Sequence, residues 1–186
     1  MTPLFTVHAG EYLVGSYIEE HFKRLNVWIT SKDTGIDLLV TDHENRRTAS
    51  LQVKFGKDFL PIKGPHLQDP LRVWSWFTID REKLRESKAD FWVFVLRGFK
   101  KHAPDFVIVP TNQYRRCLTA IHRRKEKKIQ SYLCVTEHNR CWEPRGLKRD
   151  DEFRIAAGTF KNQLRDFTAY LNGKGWGTML KRLNAR

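Results

Sequence analysis

The sequence predicts an α/β fold on three observations. Apolar side chains recur at helical spacing over residues 11–25, polar and apolar residues alternate without a break over 48–55, and 91–96 (FWVFVL) is apolar at every position. The first pattern is a helix packed on one side, the second a half-buried strand, the third a strand covered on both faces. A chain of 186 residues fills one core, so 1–186 reads as a single domain.

Residues 11–25 (EYLVGSYIEEHFKRL) form the first helix, with Tyr12, Leu13, Ser16, Tyr17, Ile18 and Phe22 on its mostly apolar face. A short β-rich run at 27–30 leads into the turn-rich 31–35, where Asp33 reads as a turn former. Residues 36–41 make a second strand, 42–47 (DHENRR) a polar turn, and 48–55 a third strand with Leu51, Val53 and Phe55 towards the core. Pro61, Gly64, Pro65 and Pro70 mark 56–72 as an extended loop. A further apolar run follows at 73–79, in which Trp74 and Trp76 share a strand face and read as core packing. Asp80 caps a short helix at 81–87, and strands follow at 91–97 and 105–109. The last third predicts a basic helix at 114–128, a strand at 130–135 and an irregular polar stretch to 152. A late helix at 153–171 is ended by the glycines of 172–177, and a short tail spans 179–183.

Charge is the first functional signal. The formal net charge is +13, and it is uneven: residues 1–96 hold 13 basic and 13 acidic side chains, whereas 97–149 hold 14 basic and 4 acidic. The density peaks at 122–128 (HRRKEKK). A localised basic block favours a polyanion, because each phosphate contact releases counterions. HRRKEKK has no interleaved aromatic or leucine to bury in a bilayer, and no apolar run approaches a membrane span, so a membrane partner is not expected. Met1 is followed by neither a basic n-region nor a long apolar run, and three cysteines are an odd number, which together point to a reducing cytoplasm. Cys134-x3-His138-x2-Cys141 has zinc-ligand residue types but no paired C-x2-C, so buried or incidental thiols are the reading there. No Ser-His-Asp arrangement and no phosphate-cradling glycine loop is present.

The chemistry concentrates on the hairpin. If 36–41 and 48–55 pair antiparallel about the centre of DHENRR, opposed residue numbers sum to about 89, give or take two. Asp37 then lies opposite Gln52, with Lys54 one same-face step beyond. A carboxylate and an amide oxygen are hard ligands suited to Mg²⁺, and a neighbouring ammonium can stabilise developing negative charge. A surface Asp–Lys cross-strand pair beside a neutral Gln is the alternative.

GID and LQVK on such a hairpin, behind a Glu-bearing helix and ahead of a helix and FWVFVL, resemble the PD-(D/E)XK superfamily, the restriction-endonuclease-like metal-dependent nucleases. The variant with Gln in the middle position is similar to Mrr-type restriction endonucleases and related defence or repair nucleases. The resemblance implies an αβββαβ core over about 8–110, with a mixed central sheet flanked by helices, and a basic helical C-terminal extension over about 111–186. It implies hydrolysis of DNA phosphodiester bonds with Mg²⁺, for which Mn²⁺ can substitute. Asp37 matches the metal-binding aspartate, Gln52 the second metal-ligand position, Lys54 the catalytic lysine, and the main-chain carbonyl of Val53 a further ligand. Glu11 matches a glutamate on the first helix of several branches, a place that the helix macrodipole favours by itself. Gln52 departs from the acid of most members and removes one negative charge from the site. Lys57, Arg115, Arg116, Arg123, Arg124, Lys125, Lys127 and Lys128 would hold the nucleic-acid backbone. The competing class is a nucleic-acid-binding protein that keeps the fold without cleaving; a nuclease acting as a homodimer is a third.

Overall fold

The computed structural model describes residues 9–30, 35–59, 70–98, 103–122 and 126–184. Asp33, most of the proline-rich loop, and Arg123, Arg124 and Lys125 lie outside them. The order is α1 (Ala9–His21), β1 (Leu25–Ile29), β2 (Leu38–Asp42), β3 (Thr48–Lys57), β4 (Leu71–Asp80), α2 (Arg81–Arg85), β5 (Phe91–Arg97) and β6 (Asp105–Pro110). Then come α3 (Thr111–Ile121), β7 (Lys128–Thr136), β8 (Cys141–Trp142), α4 (Arg149–Ala156), a 3₁₀ turn at Thr168–Tyr170 and α5 (Asn172–Leu183). Among the described residues no helix is long and apolar enough to cross a membrane.

The fold is mixed α/β, with a mixed central sheet flanked by helices. Five strands run in the order β1-β2-β3-β5-β6, antiparallel throughout except for the parallel β3–β5 pair. FWVFVL alternates between two buried faces, as its unbroken apolarity predicts. Val93 and Val95 join Leu38, Val40, Leu51 and Val53 under α1 (Val14, Ile18) and α5 (Trp176, Met179). Trp92, Phe94 and Leu96 face the other way, onto Val73 and Phe77 of β4, Leu133 of β7, and Tyr114 and Leu118 of α3. Phe55, expected in the core, is 37% exposed at the rim beside the start of α1.

Three points differ from the sequence reading or add to it. First, the run at 73–79, which the sequence assigned to no sheet, lies in β4, which pairs antiparallel with β7 and forms a second, three-stranded sheet in the order β4-β7-β8. The crossover between parallel β3 and β5 therefore runs through a ten-residue strand and the one-turn α2, which Asp80 caps as expected by accepting from the N–H groups of Glu82 and Lys83. Second, the basic helix stops at Ile121 rather than 128. Arg81 pins the connection by donating to the carbonyls of His122 (3.1 Å) and Glu126 (2.9 Å), and Lys128 opens β7 opposite Asp80. Alternating Ile129, Ser131, Leu133 and Val135 fit a strand better than a helix, so the C-terminal third is mixed rather than helical.

Third, the helix at 153–171 is instead α4, which ends at Ala156. Gly158 takes φ +73°, and its N–H and that of Ala157 close onto the carbonyls of Ile155 and Phe153, a left-handed glycine stop. The glycines of 172–177 begin a helix instead of ending one. A Cβ at Gly175 would stand 2.8 Å from the Tyr170 carbonyl carbon and 3.0 Å from Ile108 Cδ1, so glycine lets α5 press against the 3₁₀ turn and β6.

Candidate active site

The β2–β3 pairs are Leu38↔Leu51, Leu39↔Ser50, Val40↔Ala49 and Thr41↔Thr48, so opposed numbers sum to 89. Asp37 stands one step before β2 and continues the ladder: its N–H donates to the Leu51 carbonyl (2.8 Å), while its own carbonyl accepts from the Thr30 N–H (3.2 Å) and hydroxyl (3.3 Å). The aspartate backbone is therefore held from both sides. Its Oδ2 accepts from Gln52 Nε2 at 2.5 Å and from the Val53 N–H at 2.6 Å.

Gln52 and Lys54 pair with Trp92 and Phe94 of β5, which fixes them on the face of the sheet turned towards β4. Lys54 Nζ sits 5.8 Å from the centre of the Trp92 ring, a cation–π distance. Asp37, Gln52 and Lys54 thus share one face, as the hairpin arithmetic requires. Gln52 is buried, while Asp37 and Lys54 are partly open to solvent. They lie at a boundary. On the β5 side the second sheet covers the face, with the Phe77 ring against Gly56; on the β1 side Trp28, opposite Leu39, is 52% exposed.

Glu11 occupies the first turn of α1. That turn abuts the same strand from the opposite face, since a Cβ at neighbouring Gly10 would lie 3.1 Å from both Val53 Cγ1 and Phe55 Cβ. Arg116 is exposed on α3, Arg115 is half-buried there, and Lys127 and Lys128 are exposed at the start of β7. Lys57 ends β3 opposite Arg97; its side chain lies outside the described residues. Among the described residues no three His, Cys, Asp or Glu side chains group to hold a metal. Cys134 pairs with Trp142 on one face of the second sheet, and Cys141 pairs with Val135 on the other, so the zinc spacing does not converge. Burial pushes the Cys117 thiol up to about 12 and the Cys141 thiol well up, as for inert core cysteines.

Three residues that support the site carried no signal of their own. Thr30 anchors Asp37, Trp92 underlies Lys54, and Asp90 accepts from the N–H and hydroxyl of Ser50 (both 2.9 Å), joining the start of β5 to β3. Only the parallel β3–β5 register would have found the last two.

No family model and no curated protein matches the chain. Among solved structures, the 1.6 Å structure of Hjc, a Holliday junction resolvase from the archaeal hyperthermophile Archaeoglobus fulgidus, is similar at 15% identity. The alignment covers 83% of this chain and 99% of that one, with a TM-score of 0.36. A likeness at that level carries no functional argument.

Proposed function

We propose that this protein is a divalent-metal-dependent nuclease that hydrolyses DNA phosphodiester bonds, with a site of the PD-(D/E)XK kind. The observation that supports it is the meeting of Asp37, Gln52 and Lys54 on one partly open face, with Asp37 fixed through its backbone and its carboxylate. The donor set fits Mg²⁺ in kind: the Asp37 carboxylate, the Gln52 amide oxygen and the Val53 carbonyl are hard oxygens. Glu11 is proposed as a further carboxylate on the resemblance alone, since the turn that carries it abuts Val53 from the face opposite Gln52 and Lys54. When bound, the ion would lower the pKa of its water and neutralise charge on the phosphate. Val53 and Gln52 orient Asp37 through their N–H groups. Lys54 brings a positive charge to the place where the phosphate becomes more negative in the transition state. The proposed setting is defence against phage or DNA repair in the cytoplasm, with a homodimer to cut both strands.

One observation favours a second reading, a binding protein that does not cleave. Gln52 supplies no charge, and its amide is engaged with Asp37. Supercoiled, linear and branched DNA incubated with Mg²⁺, Mn²⁺ or chelator separates the two. Cutting is expected only with metal, abolished in Asp37→Ala and slowed about 10²–10³-fold in Lys54→Ala, with DNA binding retained in both. Binding without cutting of any substrate at either metal establishes the second reading instead.

A further inference from the structure

The tip of the β2–β3 hairpin meets the last turn of α5 around a polar pocket of about 620 Å³. Four cations line it: Arg46 and Arg47 from the turn, and Lys181 and Arg182 from the helix, with Thr48 and Asn184 between them. A helix C-terminus attracts cations and so accounts for Lys181 and Arg182. It does not account for two arginines brought to the same place from more than a hundred residues earlier in the chain.

The counter-charges are incomplete. Arg46 pairs with Glu44 at 3.0 Å, and Arg182 reaches Asp90 only at 3.7 Å. Among the described residues neither Arg47 nor Lys181 has a carboxylate partner. With the Asn184 amide turned so that its oxygen faces the arginine, Arg47 instead donates to that oxygen. Asp42, at the start of the turn, spends one carboxylate oxygen on the backbone N–H groups of Arg46 and Arg47. Four exposed cations gathered with only Glu44 and the more distant Asp90 as counter-charges repel one another, and an anion in the pocket relieves that repulsion.

The pocket also has a place relative to the candidate active site. Thr48 stands on the same strand face as Gln52 and Lys54, four residues from Gln52. Lys181 and Arg182 come from α5 on the other face, so the pocket lies at the tip of the hairpin between the two. At the rise of a strand those four residues span roughly 13 Å, the axial rise of about four base pairs of a duplex. We propose that the pocket holds a backbone phosphate of a nucleic acid whose strand also passes the Asp37 face; this rests on the reading of that face as a nucleic-acid site.

The test is kept independent of cleavage. Binding of a short fluorescent DNA duplex is measured by anisotropy in chelator, between about 50 and 200 mM salt, for wild type, Arg47→Ala, Lys181→Gln and the double variant. All substituted side chains are exposed, and circular dichroism checks that each variant is folded. Each single change is expected to lower the slope of log affinity against log salt by about 0.9. The double change should lower it little further, because one phosphate is shared. Asp37→Ala should leave the slope unchanged, so a protein that never cuts DNA still reads out the pocket. Unchanged slopes in the single variants overturn the proposal, as does a double loss equal to the sum. With unchanged slopes, a thermal shift by inorganic phosphate that the variants abolish would instead identify a small-anion site. Likewise, binding to phosphatidylserine vesicles lost in the variants would identify a membrane contact.

Discussion

Gln52 donates its amide to Asp37 at 2.5 Å, and that bond decides what an acid at the same position would do. In Gln52→Glu the donor is lost and two carboxylates face each other on a largely buried strand face, which destabilises the metal-free fold by roughly 1–3 kcal/mol. On the proposed function both carboxylates would hold the divalent ion and their repulsion would be offset, so Mg²⁺ should raise the melting temperature of the variant more than that of wild type. Thermal denaturation with Mg²⁺ and with chelator measures both; an equal Mg²⁺ response in the two proteins counts against a metal at this pair. The shared face of Asp37, Gln52 and Lys54 was legible in the sequence because a period of two assigns strand residues to faces by their numbers alone. Trp92 and Asp90 were not, since the partner on the far side of β3 is a strand 40 residues away, reached only through the crossover.

At the scale of elements, legibility followed how local the cause was. The α1 helix, the hairpin and FWVFVL are written in short periodicities and local turns. The hairpin register and FWVFVL stand where the pattern put them, while α1 ends at His21 rather than 25 and Leu25 already opens β1. An apolar run such as 73–79 says that it will be buried but not in which sheet, and β4 joined β7 instead of the main sheet. The C-terminal helix was hidden for a different reason. Glycine ordinarily lowers helix propensity, so a run with glycines at 173, 175 and 177 reads as a stop; here α5 needs one of them to approach Tyr170 and Ile108. Gly175→Ala should therefore destabilise the protein despite its better propensity, by about 1–3 kcal/mol from overpacking against backbone. Gly177→Ala, where an added Cβ meets nothing within 4 Å, should be neutral or stabilising. Urea unfolding of the two variants makes the comparison, and equal effects would mean that α5 does not depend on this contact.

Across the whole molecule, linear charge sums misplace the field. The stretch 97–149 carries most of the excess, yet Arg145 turns inward over Tyr132, and Arg140 is tied to Asp166 and the Trp142 ring. The four-cation pocket draws half its charge from the electrically balanced first part of the chain. Behind the basic surface lies an acid that no motif or periodicity singles out. Glu143 is fully buried; its Oε1 accepts from the Tyr132 N–H (2.9 Å), and its Oε2 from the Arg145 N–H (3.1 Å) and Arg165 Nη1 (3.2 Å). Burial pushes its carboxyl up to about 7, against the lowering pull of the Tyr132 N–H and of Arg165. From an ordinary value of 4.5, the folded state thus holds a proton that the unfolded chain releases. Stability from this group is complete below about 4.5, falls as pH rises towards 7, and is flat beyond, a loss of about 3 kcal/mol. His122 acts with the opposite sign, since burial lowers its pKa and its contribution is lost as pH falls. Both proteins contain His122, so the difference in unfolding free energy between wild type and Glu143→Gln cancels it. That difference, measured by urea unfolding from pH 4 to 8, should decline across the window; a flat or rising difference would mean that Arg165 keeps the buried carboxylate ionised throughout.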